Sequence, residues 1–257
     1  MTKERPIILV TNDDGIISPG IKVLVEVAAE FGDVIVVAPD SPQSGMGHAI
    51  TIESMLRVEK VDLFEGIPSY QCSGTPVDCV KIATDKILKR KPDLCLSGIN
   101  HGSNSSINVI YSGTMSAAME ASISGVKAIG FSLQDFSFDA DFTASKHFAR
   151  IIVQQILENG LPNGCLLNVN IPKAPLEDIN GMRICRQAMA QWEESYDERK
   201  DPRGGTYYWL TGKFICKDNG EDTDEWALAN NYVSIVPVQY DLTNQHGMRF
   251  LNKYWDL

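Results

Sequence analysis

Residues 7–20 read IILVTNDDGIISPG, and the fold follows from how that stretch breaks. The apolar run at 7–10, closing on polar Thr11 and Asn12, is the pattern of a parallel strand buried on both faces. Ser18-Pro19-Gly20 then opens a helix, with Ser at the N-cap and Pro at the first helical position, where its missing N–H costs nothing. That helix carries Ile21, Leu24, Val25 and Ala28 on one face. Asp33 begins a second apolar run, DVIVVAP. Strand, helix and strand of these lengths make a βαβ unit, and such units build doubly wound sheets.

The pattern recurs outward from there. A helix fits 77–88, a strand 93–97, a long polar loop 98–112, and a small-residue helix starts at Gly113. A strand follows at 127–133, a helix at 141–158 and a strand at 166–172 (LLNVNIP). Past residue 180 Tyr and Trp become frequent. Gly204-Gly205 precedes the alternating segment TYYWLTGKFIC at 206–216, which reads as part of a β-hairpin, and YVSIVPV at 232–238 is a further strand. The expectation is an α/β protein: a Rossmann-like, doubly wound, mostly parallel sheet with a C-terminal β-hairpin appendage. Residues 1–135 form the ligand-binding core. Residues 136–257 complete the sheet and project the hairpin, whose aromatic residues would expose too much apolar surface on a lone ribbon and predict packing against another subunit.

The chain has 257 residues, 44% of them hydrophobic, which suffices for a sizeable core. A net charge of −10 argues against nucleic-acid or anionic-membrane partners, which need basic patches. It leaves room for a small phosphate ester held through a bound cation. No apolar run is long enough for a transmembrane helix, and the first one is too short for a signal peptide, so a cytoplasmic protein is expected. Six cysteines without a CxxC pair read as reduced thiols. Four histidines without HxH or HExxH argue against a zinc site.

Chemistry concentrates at three strand ends, where ligands bind in open α/β sheets. After the first strand, Asp13 and Asp14 are adjacent carboxylates whose repulsion a bound cation relieves, and Gly15 lets the chain turn there. A solvated turn would favour the same residue types. After the second strand, the loop 39–45 offers the Ser44 hydroxyl. After the third, Asn100 presents an amide oxygen to the same rim, and Ser112-Gly113-Thr114 stands at a helix start, where free N–H groups attract phosphate. Two carboxylates, a hydroxyl and an amide are hard oxygen ligands suited to Mg²⁺, Mn²⁺ or Ca²⁺. No GxxxxGK[ST] or GxGxxG occurs. Asn12-Asp13-Asp14-Gly15-Ile16 does not match the DxDxT nucleophile motif, and a receiver domain would need a Lys where Gln134-Asp135 stands.

Four stretches, ILVTNDDGIISPGI (8–21), VVAPDSPQSGMGHAIT (36–51), SGTPVDCV (73–80) and SGINHGSNSSINVIYSGTMSAAMEA (97–121), resemble the SurE family of nucleotidases in the family's order. A looser similarity continues to TDEWALANNYVSIVPVQYDLT (223–243). The resemblance implies a divalent-metal phosphomonoesterase acting on nucleoside 5′-monophosphates, with 3′-nucleotides and short polyphosphate as further substrates, assembled as a homodimer or homotetramer through the hairpin. It carries the metal ligands onto Asp13, Asp14, Ser44 and Asn100, with Asp13, Asp14 and Asn100 catalytic. Phosphate contacts fall on Asn104, Ser112, Gly113 and Thr114, and Ser73-Gly74-Thr75 looks like a further loop beside the site. The segment 106–110 lacks the acidic pair common in the family, and His246 follows Asp241 by five residues rather than four, so neither Asp241 nor His246 is assigned a role. Attack by water and attack by a carboxylate both remain open as the chemical step.

Overall fold

The computed structural model describes residues 5–256. In chain order its elements are β1 (Ile7–Thr11), α1 (Pro19–Phe31), β2 (Asp33–Pro39), β3 (Val58–Val61), β4 (Ser69–Cys72), α2 (Pro76–Ile82), β5 (Leu94–His101), α3 (Gly113–Ile123), β6 (Lys127–Leu133) and α4 (Thr143–Asn159). There follow β7 (Cys165–Ile171), β8 (Met182–Ile184), β9 (Ala190–Lys200), β10 (Thr206–Cys216), α5 (Asp224–Ala229), β11 (Val233–Gln239) and α6 (Gln245–Tyr254).

Nine strands form one sheet in the order β3-β4-β2-β1-β5-β6-β7-β11-β8. From β4 to β7 every neighbour is parallel, while β3 and β11 join antiparallel. The chain leaves β1 toward β2 in one direction and leaves β5 toward β6 in the other, so the winding reverses between β1 and β5. Side chains of β1 alternate across the sheet. Ile8 and Val10 join α1 and α4 in one buried cluster, and Leu9 joins α2 and α3 in the other. Burial on both faces is what the unbroken apolar run demands. The sheet runs on without a break across residue 135, and β9 and β10 pair only with each other as a separate antiparallel ribbon.

Several expectations shift in detail. The helix expected at 77–88 is α-helical to Ile82 and continues as a wider turn over Ala83–Ile87. The strand expected to stop at 97 runs to His101, with a register shift between Ser97 and Asn100, so the expected loop 98–112 starts later and holds a short 3₁₀ turn at Ser106–Ile110. Polar residues here mark a buried site rather than an exposed connection: Ser97 and Asn100 are both buried. Ser18 is the N-cap of α1, but its hydroxyl accepts from the Asn12 side chain at 2.8 Å instead of capping the helix. Among the described residues no helix is long and apolar enough to cross a membrane, and all six cysteines are free thiols.

Helix α1 meets β5 backbone to backbone at Gly20, where a Cβ would lie 2.0 Å from the Ile99 carbonyl oxygen. Neither partner is a flexible side chain, so the clash has no cheap relief. Gly20→Ala is therefore expected to destabilise the protein by about 3 kcal/mol or more, seen as a lower urea midpoint. An unchanged midpoint would mean that α1 can slide on the sheet.

Candidate active site

The winding reversal leaves a crevice at the carboxyl ends of β1 and β5, the place where doubly wound sheets bind ligands. Asp13 and Asp14 follow β1, and Asn100 and His101 close β5. The loop after β2 is drawn in by two backbone bonds, Gln43 N–H to Asp13 O at 2.8 Å and Ile16 N–H to Pro39 O at 2.9 Å. The loop after β5 is tied to it by Gly47 N–H to Tyr111 O at 3.1 Å. Asp13, Ser44, Asn100, Asn104 and Ser112 then line one cavity of about 340 Å³. Asp14 faces an adjoining cavity, and His101 borders both.

Asp13 is 3% exposed. Burial pushes its carboxyl up to about 6, the Asp14 charge adds to the rise, and a hydrogen bond from the Thr114 hydroxyl opposes it. Asp14 accepts twice from His101, from the backbone N–H at 3.1 Å and from ring Nδ1 at 3.0 Å. The Asn100 amide nitrogen donates to Gly102 O at 2.8 Å, which leaves its oxygen as the atom available to the cavity. Asn104 is held by Asn170, which accepts its N–H at 2.7 Å, and its side-chain amide donates to Ser132 at 2.8 Å. An amide nitrogen has two donors, so one remains. The Ser112 hydroxyl caps α3 by accepting from Met115 N–H at 3.0 Å, Gly113 lies against the Asp13 side chain, and the Thr114 hydroxyl serves Asp13. The amides of Gly113 and Thr114 begin the helix, where the backbone dipole favours an anion. Ser73 is instead turned to the β3 side, where its hydroxyl oxygen accepts from Arg57 N–H at 3.0 Å, and Thr75 forms a capping box with Asp78.

The donor set passes a chemical test for a divalent cation. Six buried side-chain polar atoms lack a hydrogen-bond partner among the described residues, and four belong to Thr11, Asn12, Ser97 and His101 at the ends of β1 and β5. Buried polar atoms are normally satisfied, so this concentration marks a place that a ligand or ion completes. No Lys or Arg is among the described residues lining either cavity. A phosphate ester beside two carboxylates would then need a cation between them. No group of three or more His, Cys, Asp or Glu side chains comes together among the described residues.

Several supporting residues are invisible to motif reading. Asn168 and Asn170 on β7 hold Asn104, and their signal is two amides inside an otherwise apolar strand. Asp224 is fully buried and accepts from Ser106 N–H at 2.7 Å and Ala188 N–H at 2.9 Å. These bonds hold Ser106 at a left-handed φ of 52°, unfavourable for a side chain with a Cβ. Glu225 accepts from the Ser105 hydroxyl at 2.5 Å. Asp241 lies on an exposed segment and accepts from Thr243 N–H at 2.9 Å.

Comparison with known proteins agrees across the chain. The family model described as "Survival protein SurE" matches residues 8–194. A "5'-nucleotidase SurE" of Christiangramia forsetii is 63% identical, covering 100% of this chain and 99% of its own. The protein of the same name from Flavobacterium psychrophilum is 60% identical, covering 98% of each. The crystal structure of the SurE protein from Aquifex aeolicus superposes with a TM-score of 0.84 at 39% identity, covering 98% of this chain and 100% of that one.

A buried carboxylate beside a second one is costly while no cation is bound. Asp13→Asn keeps an oxygen for Thr114 and removes the charge. The metal-stripped variant at neutral pH should be more stable to urea than the parent by about 1 kcal/mol, and added Mg²⁺ should stabilise only the parent. A less stable variant would mean that the carboxylate is already compensated by its surroundings.

Proposed function

We infer the function from a plain premise: the chain belongs to the SurE family. It is an enzyme, a 5′-nucleotidase that hydrolyses nucleoside monophosphates to nucleoside and phosphate. The observation that carries the site assignment is the pair Asp13 and Asp14 at the winding reversal, in cavities lined by no Lys or Arg among the described residues. We propose that Asp13, Asp14, Ser44 and Asn100 hold one divalent cation, Mg²⁺ or Mn²⁺. When bound, such an ion neutralises charge on the phosphoryl oxygens and acidifies coordinated water.

The protein's own groups do the positioning. Thr114 bonds to one oxygen of Asp13 and His101 to one oxygen of Asp14, so the second oxygen of each carboxylate would be the one to hold the ion. The remaining N–H of Asn104 and the amides at the start of α3 orient the phosphate. Rigid donors of this kind act on charge that develops in the transition state. Water is the nucleophile in this reading, because both carboxylates are committed as ligands. Hydrolysis of 3′-nucleotides and short polyphosphate belongs to the same proposal, since these contacts read only a terminal phosphoryl group. EDTA treatment should abolish AMP hydrolysis and Mg²⁺ or Mn²⁺ should restore it, while Asp13→Ala and Asp14→Ala should lower kcat by ~10²-fold or more. Full turnover by the stripped enzyme would overturn the cation role and leave the nucleotidase reading standing.

A homo-oligomer is the second part of the proposal. Tyr196, Tyr208, Trp209 and Leu210 on the ribbon of β9 and β10 are more than half exposed, and no described residue of α6 is buried although it carries Met248, Phe250 and Leu251. Apolar surface of this extent is what a second copy covers. The free thiols fit a reducing compartment, and we read the enzyme as cytoplasmic with no nucleic-acid or membrane partner. Light scattering at micromolar concentration should give a dimer or tetramer, and removal of residues 190–216 should lower the size class. A stable monomer would sink the assembly.

A further inference from the structure

Phe136 and His101 line both cavities of the candidate site. The cavity on the Asp14 side, about 370 Å³, is otherwise bounded by Ile17, Asp40, Pro42 and Phe138. Its size falls within the range of small-molecule sites. Phe136 is 80% exposed, Phe138 88% and Ile17 69%. Apolar side chains kept in water beside a polar chamber gain free energy from any flat apolar group that covers them.

The Phe136 ring is also held in place. Gly102 N–H donates to Leu133 O at 2.8 Å and to Asp135 O at 3.1 Å, which ties the end of β5 to the loop after β6. Asp135 accepts from Ser137 N–H at 3.0 Å and from Lys173 at 2.9 Å, and these bonds keep its carboxyl well below the usual range. The ring rests on bare backbone: a Cβ at Gly102, whose φ is +98°, would lie 2.2 Å from Phe136 Cε1. The apolar hollow on the other flank, lined by Tyr111, Trp192 and Leu210, offers less. There the Trp192 indole N–H already donates to Asn108 at 2.8 Å, and the ring packs edge-on against Phe214 at 5.5 Å.

We propose that the cavity beside Asp14 takes the nucleobase of the substrate, stacked on Phe136, with Ile17 and Phe138 completing the apolar wall. Asp40 at its rim accepts hydrogen bonds from N–H or O–H donors of the nucleoside. The phosphate then lies on the Asp13 side of Phe136 and the base on the other. This rests on the nucleotidase reading and deepens it. Stacking on an aromatic ring is tolerant of base identity because every base has a π face, so the subsite distinguishes nucleotides from other phosphate esters rather than one base from another.

The test compares AMP with ribose 5-phosphate, which carries the same phosphate and sugar without the base, in the parent enzyme and in Phe136→Ala, Phe136→Tyr and Trp192→Ala. Phe136→Ala should raise KM for AMP about tenfold and that for ribose 5-phosphate far less, and Phe136→Tyr should restore the parent's preference for AMP. Equal losses on both substrates would show that the ring only supports its loop. An AMP-selective loss in Trp192→Ala but not in Phe136→Ala would move the base to the other flank. Either result overturns the assignment while nucleotidase activity persists. A parent enzyme that cleaves neither substrate would instead overturn the nucleotidase reading itself.

Discussion

Two carboxylates on adjacent residues, one buried at 3% exposure, create the demand that the surrounding structure answers. Each draws a donor from a different part of the chain: Thr114 at the start of α3 bonds to Asp13, and His101 at the end of β5 bonds to Asp14. The Asp13 carbonyl draws in the loop after β2 through Gln43. Three connections that would otherwise be independent are thus referenced to one dipeptide. The burial that makes the pair costly also makes it useful, because charge interactions strengthen as water is excluded. A lysine in the same crevice would have neutralised the pair, and neither cavity has a Lys or Arg among its described lining residues.

The extent to which this was legible depends on whether an element's identity lies in its own residues. β1, β2 and β6 announce themselves as apolar runs because both their faces are buried. The end of β5 does not, since Gly98 and Asn100 resemble a loop and only pairing of Asn100 with Ser132 and His101 with Leu133 makes it a strand. Of the ribbon, β10 shows alternating aromatic residues, whereas β9 reads AQWEESYDERK and is too charged to signal a strand. β3 and β4 are four residues each, too short for periodicity, and α6 follows a polar stretch that gives no cue.

The site divides along the same line. Asp13, Asp14, Ser44 and Asn100 are strand-end residues whose chemistry can be argued from position alone, and the structure brings Asp13, Ser44 and Asn100 to one cavity with Asp14 at its neighbour. His101, Asn168, Asn170 and Asp224 act only through partners distant in sequence, and no local pattern names a partner. Phe136 belongs to the same group: its place beside the site depends on the bonds of Gly102 and Asp135.

The bonds from Asp224 and Glu225 set an order on the birth of the enzyme. They reach back 118 and 120 residues to hold Ser106 and Ser105. A chain emerging from the ribosome lays down β1, β2 and β5 early and can bury much of the sheet before residue 200 is made. The loop that follows β5 still lacks both anchors at that stage, and its left-handed serine has only the bond from its hydroxyl to Ala188 O to hold it. Contacts so far apart in sequence form late because the intervening chain must be closed first. The crevice at the ends of β1 and β5 is therefore completed by residues beyond 220, and a chain made only to residue 200 carries the two carboxylates without a finished pocket around them.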